Sequence, residues 1–187
     1  MPHEASPATT TGIISREVGR DFGAVLGFSL ALAIARHVIH TPIGVPGHSA
    51  VFWIPVLVLA GFYRMPGTVV ACATCGSLLG IGLGDLDALK IAGVLAAASV
   101  IEAFGLGQRQ RPGALLILVA ATLSHLGKLS TKLLAVVAAG LPLNRVGLPL
   151  GTTLALYAAF GLIGGVLAFA VLSAWRAARS TLQSDAE

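Results

Sequence analysis

Long apolar runs, broken by brief polar punctuation, dominate this chain. They fall at roughly 21–40, 50–63, 67–84, 88–105, 113–140 and 152–175. A helix rises about 1.5 Å per residue, so about 20 mostly apolar residues cross a bilayer. The pattern predicts six membrane spans. The second is short and runs toward the third through the turn Tyr63-Arg64-Met65-Pro66-Gly67. Without water, the backbone satisfies its polar groups only in helices or a closed barrel. The Ala/Leu/Gly-rich runs lack the alternation of barrel strands. The expected fold is therefore all-α, an integral membrane six-helix bundle.

Composition supports that reading. Hydrophobic residues make up 56% of the chain and charged residues 11%, where a soluble domain carries roughly 25% charged. Mean hydropathy is +0.88. The 23 glycines and many alanines suit close helix–helix approach. The expected organisation is an N-terminal tail at 1–20, a six-span domain at 21–176 and a C-terminal tail at 177–187. Met1–Ile14 is polar and holds Glu4, unlike a signal peptide.

The net charge of +4 does not indicate nucleic acid, because the basic residues sit in short loops and form no patch. They report orientation instead. With the N-terminus inside, Arg16, Arg20, Arg64, Arg109, Arg111, Arg176 and Arg179 are cytoplasmic. Arg36, Lys90 and Arg145 fall on the opposite side. Both termini are thus expected in the cytoplasm. No Gly-x-x-x-x-Gly-Lys-Ser/Thr segment occurs, so any ATP-driven step needs a separate ATPase.

Candidate chemistry is sparse. In the first span, Ala31 and Ala35 lie one turn apart, a small-residue strip that packs either internally or against a partner. The Pro/Gly-rich loop Thr41–His48 follows; it is either a cap over a cavity or a plain connector. In the third span, Cys72 and Cys75 share a face but rarely have disulfide geometry at this spacing. Each is either a small apolar filler or a soft metal ligand.

The fifth span carries the strongest polar signal. His125, Lys128 and Lys132 fall at i, i+3 and i+7 on one face, among Ser124, Ser130 and Thr131. Ionisable groups at depth cost roughly 2.5–3.5 kcal/mol each on insertion scales. That face should line the bundle interior or a wet cavity, although Lys132 can snorkel outward. Glu102 lies too near the inner end to meet Lys128, and is expected to meet a loop arginine or a partner subunit. His37, His40, His48 and the cysteines assemble into no known metal motif. No Ser-His-Asp order, His-Glu-x-x-His motif or paired intramembrane carboxylates appear, so the chain does not read as an enzyme.

Residues 20–176 resemble the substrate-binding S components of energy-coupling factor (ECF) vitamin transporters. The resemblance rests on the Ala31-xxx-Ala35 strip, the Pro/Gly loop after it, the glycine-rich third span and the final span Gly161-Leu-Ile-Gly164-Gly165. It implies a multi-pass protein of the bacterial cytoplasmic (inner) membrane that binds a vitamin as cargo and has no intrinsic cofactor. Ala31 and Ala35 would dock the coupling transmembrane subunit, which works with separate ATPases. Residues 41–48, with His48, would form a lid. His125, Lys128, Lys132 and residues near Cys75 would line an outer-half pocket, and the bundle would topple to deliver its cargo. The cobalamin-specific branch uses a membrane cysteine as axial ligand to cobalt. By that likeness the cargo is a corrinoid, with Cys75 the favoured ligand and Cys72 the other choice. Biotin is the alternative cargo. A membrane scaffold or assembly factor without cargo, and a small metal or ion channel, are competing classes.

Overall fold

The computed structural model describes residues 7–37, 45–63, 65–84, 87–109, 112–142 and 148–184; in the first helix, side chains are described for 19–36. His40, loop positions 41–44, Arg64, Asp85, Arg111 and Arg145 lie outside the described residues.

Among the described residues the chain forms six α-helices: α1 (Pro7–His37), α2 (Ala50–Ala60), α3 (Thr68–Gly82), α4 (Ala88–Phe104), α5 (Ala114–Ala138) and α6 (Leu150–Ser184). A single 3-10 turn, Leu106–Gln108, follows α4. Three stretches, Ala88–Gln108, Ala114–Ala138 and Leu150–Leu182, are long and apolar enough to cross a membrane. The helices extend past the predicted spans at both ends of the chain. α1 begins within the stretch expected as a tail, and α6 runs through most of 177–187.

The helix boundaries follow local chemistry. Asp87 caps α4, its carboxylate accepting from Leu89 N at 3.0 Å and Lys90 N at 3.1 Å, which satisfies donors that a helix start leaves bare. Gly105, at φ +57°, ends α4 in the left-handed conformation that glycine adopts without strain. α3 is capped by a different element. Glu102 of α4 accepts from Gly67 N and Val69 N, both at 2.8 Å. The carboxylate thus neutralises the positive end of α3 and locks the α2–α3 turn to α4. A loop arginine or a partner subunit was the expected partner; among the described residues it is these backbone donors that meet the carboxylate, and Arg64 and Arg111 lie outside them.

α2 is the innermost helix. It packs against all five others, and Trp53, Ile54, Leu57, Val58 and Ala60 are at most 1% exposed. Its 11 residues span only about 16 Å. Around it, α5 packs on α4 and α6, and α1 packs on α3. Glycines set the α5–α6 seam: a Cβ at Gly161 would lie 2.9 Å from Thr122 Cα, and one at Gly165 would lie 2.9 Å from Ala121 Cβ. Leu78, Leu115, Leu134 and Val171 point outward from their helices. An apolar exterior around a packed interior is what lipid-facing helices present.

Candidate functional site

The site grows from α5. Most of that helix's polar side chains are satisfied by their own backbone: Ser124 Oγ donates to Ala121 O, Ser130 Oγ to Gly127 O and Thr131 Oγ1 to Lys128 O, at 2.7–2.8 Å. Such bonds let hydroxyls sit in a helix without a tertiary partner. His125 is different. It is fully buried, and its Nδ1 lies 2.8 Å from Tyr157 O of α6. A carbonyl only accepts, so Nδ1 carries the proton and donates.

Three rings meet here. Tyr157 stacks on His125 with centroids 4.4 Å apart and planes at 25°. Trp53 of α2 meets His125 edge-on, with centroids 5.8 Å apart and planes at 78°. Lys128, one turn along α5, holds Nζ 4.7 Å from the Trp53 ring centre, a cation–π contact that desolvation strengthens. Gly93 of α4 makes room for the lysine stem, since a Cβ there would lie 2.9 Å from Lys128 Cγ.

Two polar atoms in this group, Trp53 Nε1 and His125 Nε2, are buried without a hydrogen-bond partner among the described residues. Leaving a buried polar group unpaired costs about 1–3 kcal/mol, and two such groups on touching rings concentrate that cost at one place.

The loop before α2 covers the group. Gly47, at φ +86°, approaches so closely that a Cβ would lie 3.0 Å from His125 Cε1 and 3.1 Å from Tyr157 Cδ2. Neither that φ nor that space suits another residue. His48 follows, its Nδ1 donating to Val45 O at 2.6 Å within the loop. The described end of the loop, read from sequence as either a cap or a plain connector, thus rests on the histidine singled out in α5.

The other expected site residues fall elsewhere. Cys72 is fully buried and Cys75 half-buried; both pack with Val25 and Phe28 of α1 and Ala60 of α2. Cys72 Sγ faces Val25 O at 3.7 Å, and Ser29 Oγ donates to Val25 O and Cys72 O, which joins α1 to α3. α3 packs on α1, α2 and α4 rather than on α5. The single pocket expected to join Cys75 to His125 is therefore met by two groups, with α2 and α4 between them. Lys132 is half-buried, one turn beyond Lys128. Ala35 is 6% exposed and belongs to the core, while Ala31 is half-buried. The open part of that small-residue row lies further toward the N-terminus, at Gly19, Gly23 and Gly27, where an added Cβ meets nothing within 4 Å. The described residues contain no group of three or more His, Cys, Asp or Glu placed to hold a metal ion.

Sequence reasoning missed Trp53 and Tyr157, although the chain has only two tryptophans and two tyrosines. Scarce amphipathic rings inside apolar helices were the available signal. Comparison with family models, with curated proteins and with solved structures finds no match.

Proposed function

We propose that this chain is the substrate-binding subunit of an ECF-type vitamin uptake transporter, a six-span protein of the bacterial inner membrane with both termini in the cytoplasm. The observation that carries the reading is the seat of Gly47 on His125. α2 is about 16 Å long. His125 lies 11 residues into α5, also about 16 Å from that helix's start. The loop ahead of α2 thus sits near mid-depth of a hydrocarbon layer about 30 Å thick. Irregular backbone at that depth is tolerated where protein buries it or where it borders a wet cavity. A loop so placed, over a buried histidine and beside a lysine, supports a cargo site opening to the outer side.

The proposed cargo is a corrinoid. By the family resemblance Cys75 would be the axial ligand to cobalt; the Trp53–His125–Lys128 group lies across α2 and α4 from it and would meet the cargo's periphery only when those helices part. Thiolate sulfur is a soft ligand suited to such a metal. Cys75 is the more accessible cysteine, and His48 and Lys132 complete the proposed rim. Biotin is the second reading, favoured by Lys128, whose cation suits a carboxylate. The coupling subunit would dock on the open α1 face at Gly19, Gly23, Gly27 and Ala31, with Ala35 supporting that face from the core.

The test is an absorbance spectrum of detergent-purified protein incubated with cyanocobalamin, beside Cys72→Ala and Cys75→Ala. A retained chromophore with a shifted cobalt spectrum, lost in Cys75→Ala alone, is expected. A colourless wild-type protein removes the corrinoid and leaves biotin as the next probe.

A further inference from the structure

We propose that Trp53 and His125 form a paired donor–acceptor site that binds a neutral carboxamide or cyclic-urea group of the cargo. This rests on the vitamin-binding reading and adds which atoms recognise the cargo. His125 Nδ1 donates to Tyr157 O at 2.8 Å, so in the neutral ring Nε2 carries a lone pair and accepts. The indole N–H of Trp53 only donates. The two residues are 0% and 1% exposed, and neither atom has a partner among the described residues. Their rings touch edge-on, with centroids 5.8 Å apart.

A group that accepts from the indole and donates to the imidazole completes both. Carboxamides and cyclic ureas hold a carbonyl beside an N–H. A carboxylate has no proton for Nε2, and an ammonium has no lone pair for the indole. Lys128, 4.7 Å from the Trp53 ring centre, disfavours a cation at this point and favours a carbonyl oxygen. A hydroxyl combines both capacities on one atom, as water does, which makes water the competing occupant.

The way in is also marked. A Cβ at Gly47 would lie 3.0 Å from His125 Cε1, and that carbon stands between the two ring nitrogens. The loop backbone therefore lies against the ring edge that joins Nδ1 to Nε2, and displacing it would open that edge. Two cargo classes carry the required chemistry: a corrinoid through its peripheral carboxamides, and biotin through its ureido ring.

The experiment uses full-length protein in nanodiscs, with nitrogen-15 in tryptophan and histidine side chains. It is titrated separately with cyanocobalamin, biotin and imidazolidin-2-one, and affinities are measured in parallel for Trp53→Phe and His125→Phe. Joint movement of the Trp53 indole and His125 Nε2 signals by one vitamin is expected. Each substitution should weaken that vitamin about tenfold, the loss of one hydrogen bond, and the double variant little further, because both atoms hold one group. Movement by cyanocobalamin or by biotin alone identifies the source. If imidazolidin-2-one moves both signals and neither vitamin does, the paired site stands and the vitamin reading falls. If a vitamin binds with both signals still and both variants unchanged in affinity, the paired site is overturned and the vitamin reading stands. If no probe moves either signal, water fills the pair and the proposal is overturned.

Discussion

Gly47 shows how much one missing side chain can carry. Two penalties meet there: a backbone at φ +86° and a Cβ position 3.0 Å from His125 Cε1. Gly140, at φ +65°, has only the first, with nothing within 4 Å of its added Cβ among the described residues. Gly140→Ala should cost about 1 kcal/mol, and Gly47→Ala about 2–3 kcal/mol. Thermal unfolding in one detergent checks both, and equal losses would remove the His125 contact from the account. The cysteines give a second residue-scale outcome. Cys72 is fully buried and Cys75 half-buried, so maleimide should modify Cys75 well before Cys72, which mass spectrometry of single-cysteine variants reads directly. At this scale the sequence was informative where partners are local. His125 and Lys128 stand out because a polar face in an apolar helix is visible at a spacing of three. Trp53 and Tyr157 lie 72 and 32 positions away from His125. Their meeting is decided by helix packing, which local periodicity does not encode.

Helices, by contrast, are nearly all legible, because lipid forces the backbone to close its own hydrogen bonds. Every predicted span corresponds to a helix; the four inner ones end within a few residues of the prediction, while α1 begins 14 residues early and α6 ends 9 residues late. What hydropathy does not show is rank. α2 and α3 look alike as short apolar runs, yet α2 alone packs against all five other helices. The cap on α3 was equally hidden, since its carboxylate comes from a residue 33 positions beyond Val69. Glu102→Ala should destabilise the protein by about 1–3 kcal/mol, because Gly67 N and Val69 N lose their acceptor. Glu102→Gln keeps one acceptor oxygen and should lose roughly half as much. At the α5–α6 seam the obstruction is backbone: Gly161→Val drives methyl groups into Thr122 Cα, and should cost about 1–3 kcal/mol. Unfolding curves for the three variants rank these effects.

The whole molecule combines a short interior helix, α2, with two long ones, α1 and α6. α6 has 35 residues and is about 52 Å long, against a hydrocarbon layer of about 30 Å. Residues 173–182, with Trp175, Arg176 and Arg179, are all exposed. Arg179 lies over Trp175, with its guanidinium carbon 5.0 Å from the ring centre. Aromatic and basic residues collect at the membrane–water boundary. On the proposed topology, which puts both termini in the cytoplasm, Ser180→Cys and Gln108→Cys in a cysteine-free background should react with impermeant thiol reagents only from that side. Leu83→Cys and Leu141→Cys should react only from the other. Any exchange between these sets would overturn the six-span orientation.

The Glu102 clamp also bears on how such a protein is made. The N-terminus leaves the ribosome first, so α2, its turn and α3 emerge before α4. Until α4 arrives, the amides of Gly67 and Val69 lack the carboxylate that accepts them at 2.8 Å. Neither α2, at about 16 Å, nor α3, at about 22 Å, matches the bilayer alone. On the proposed topology the early hairpin would stay unfinished until the fourth segment supplies its cap. Chains cut between 84 and 104 should be cleaved by protease in the α2–α3 turn, whereas chains extending past Gln108 should be protected there.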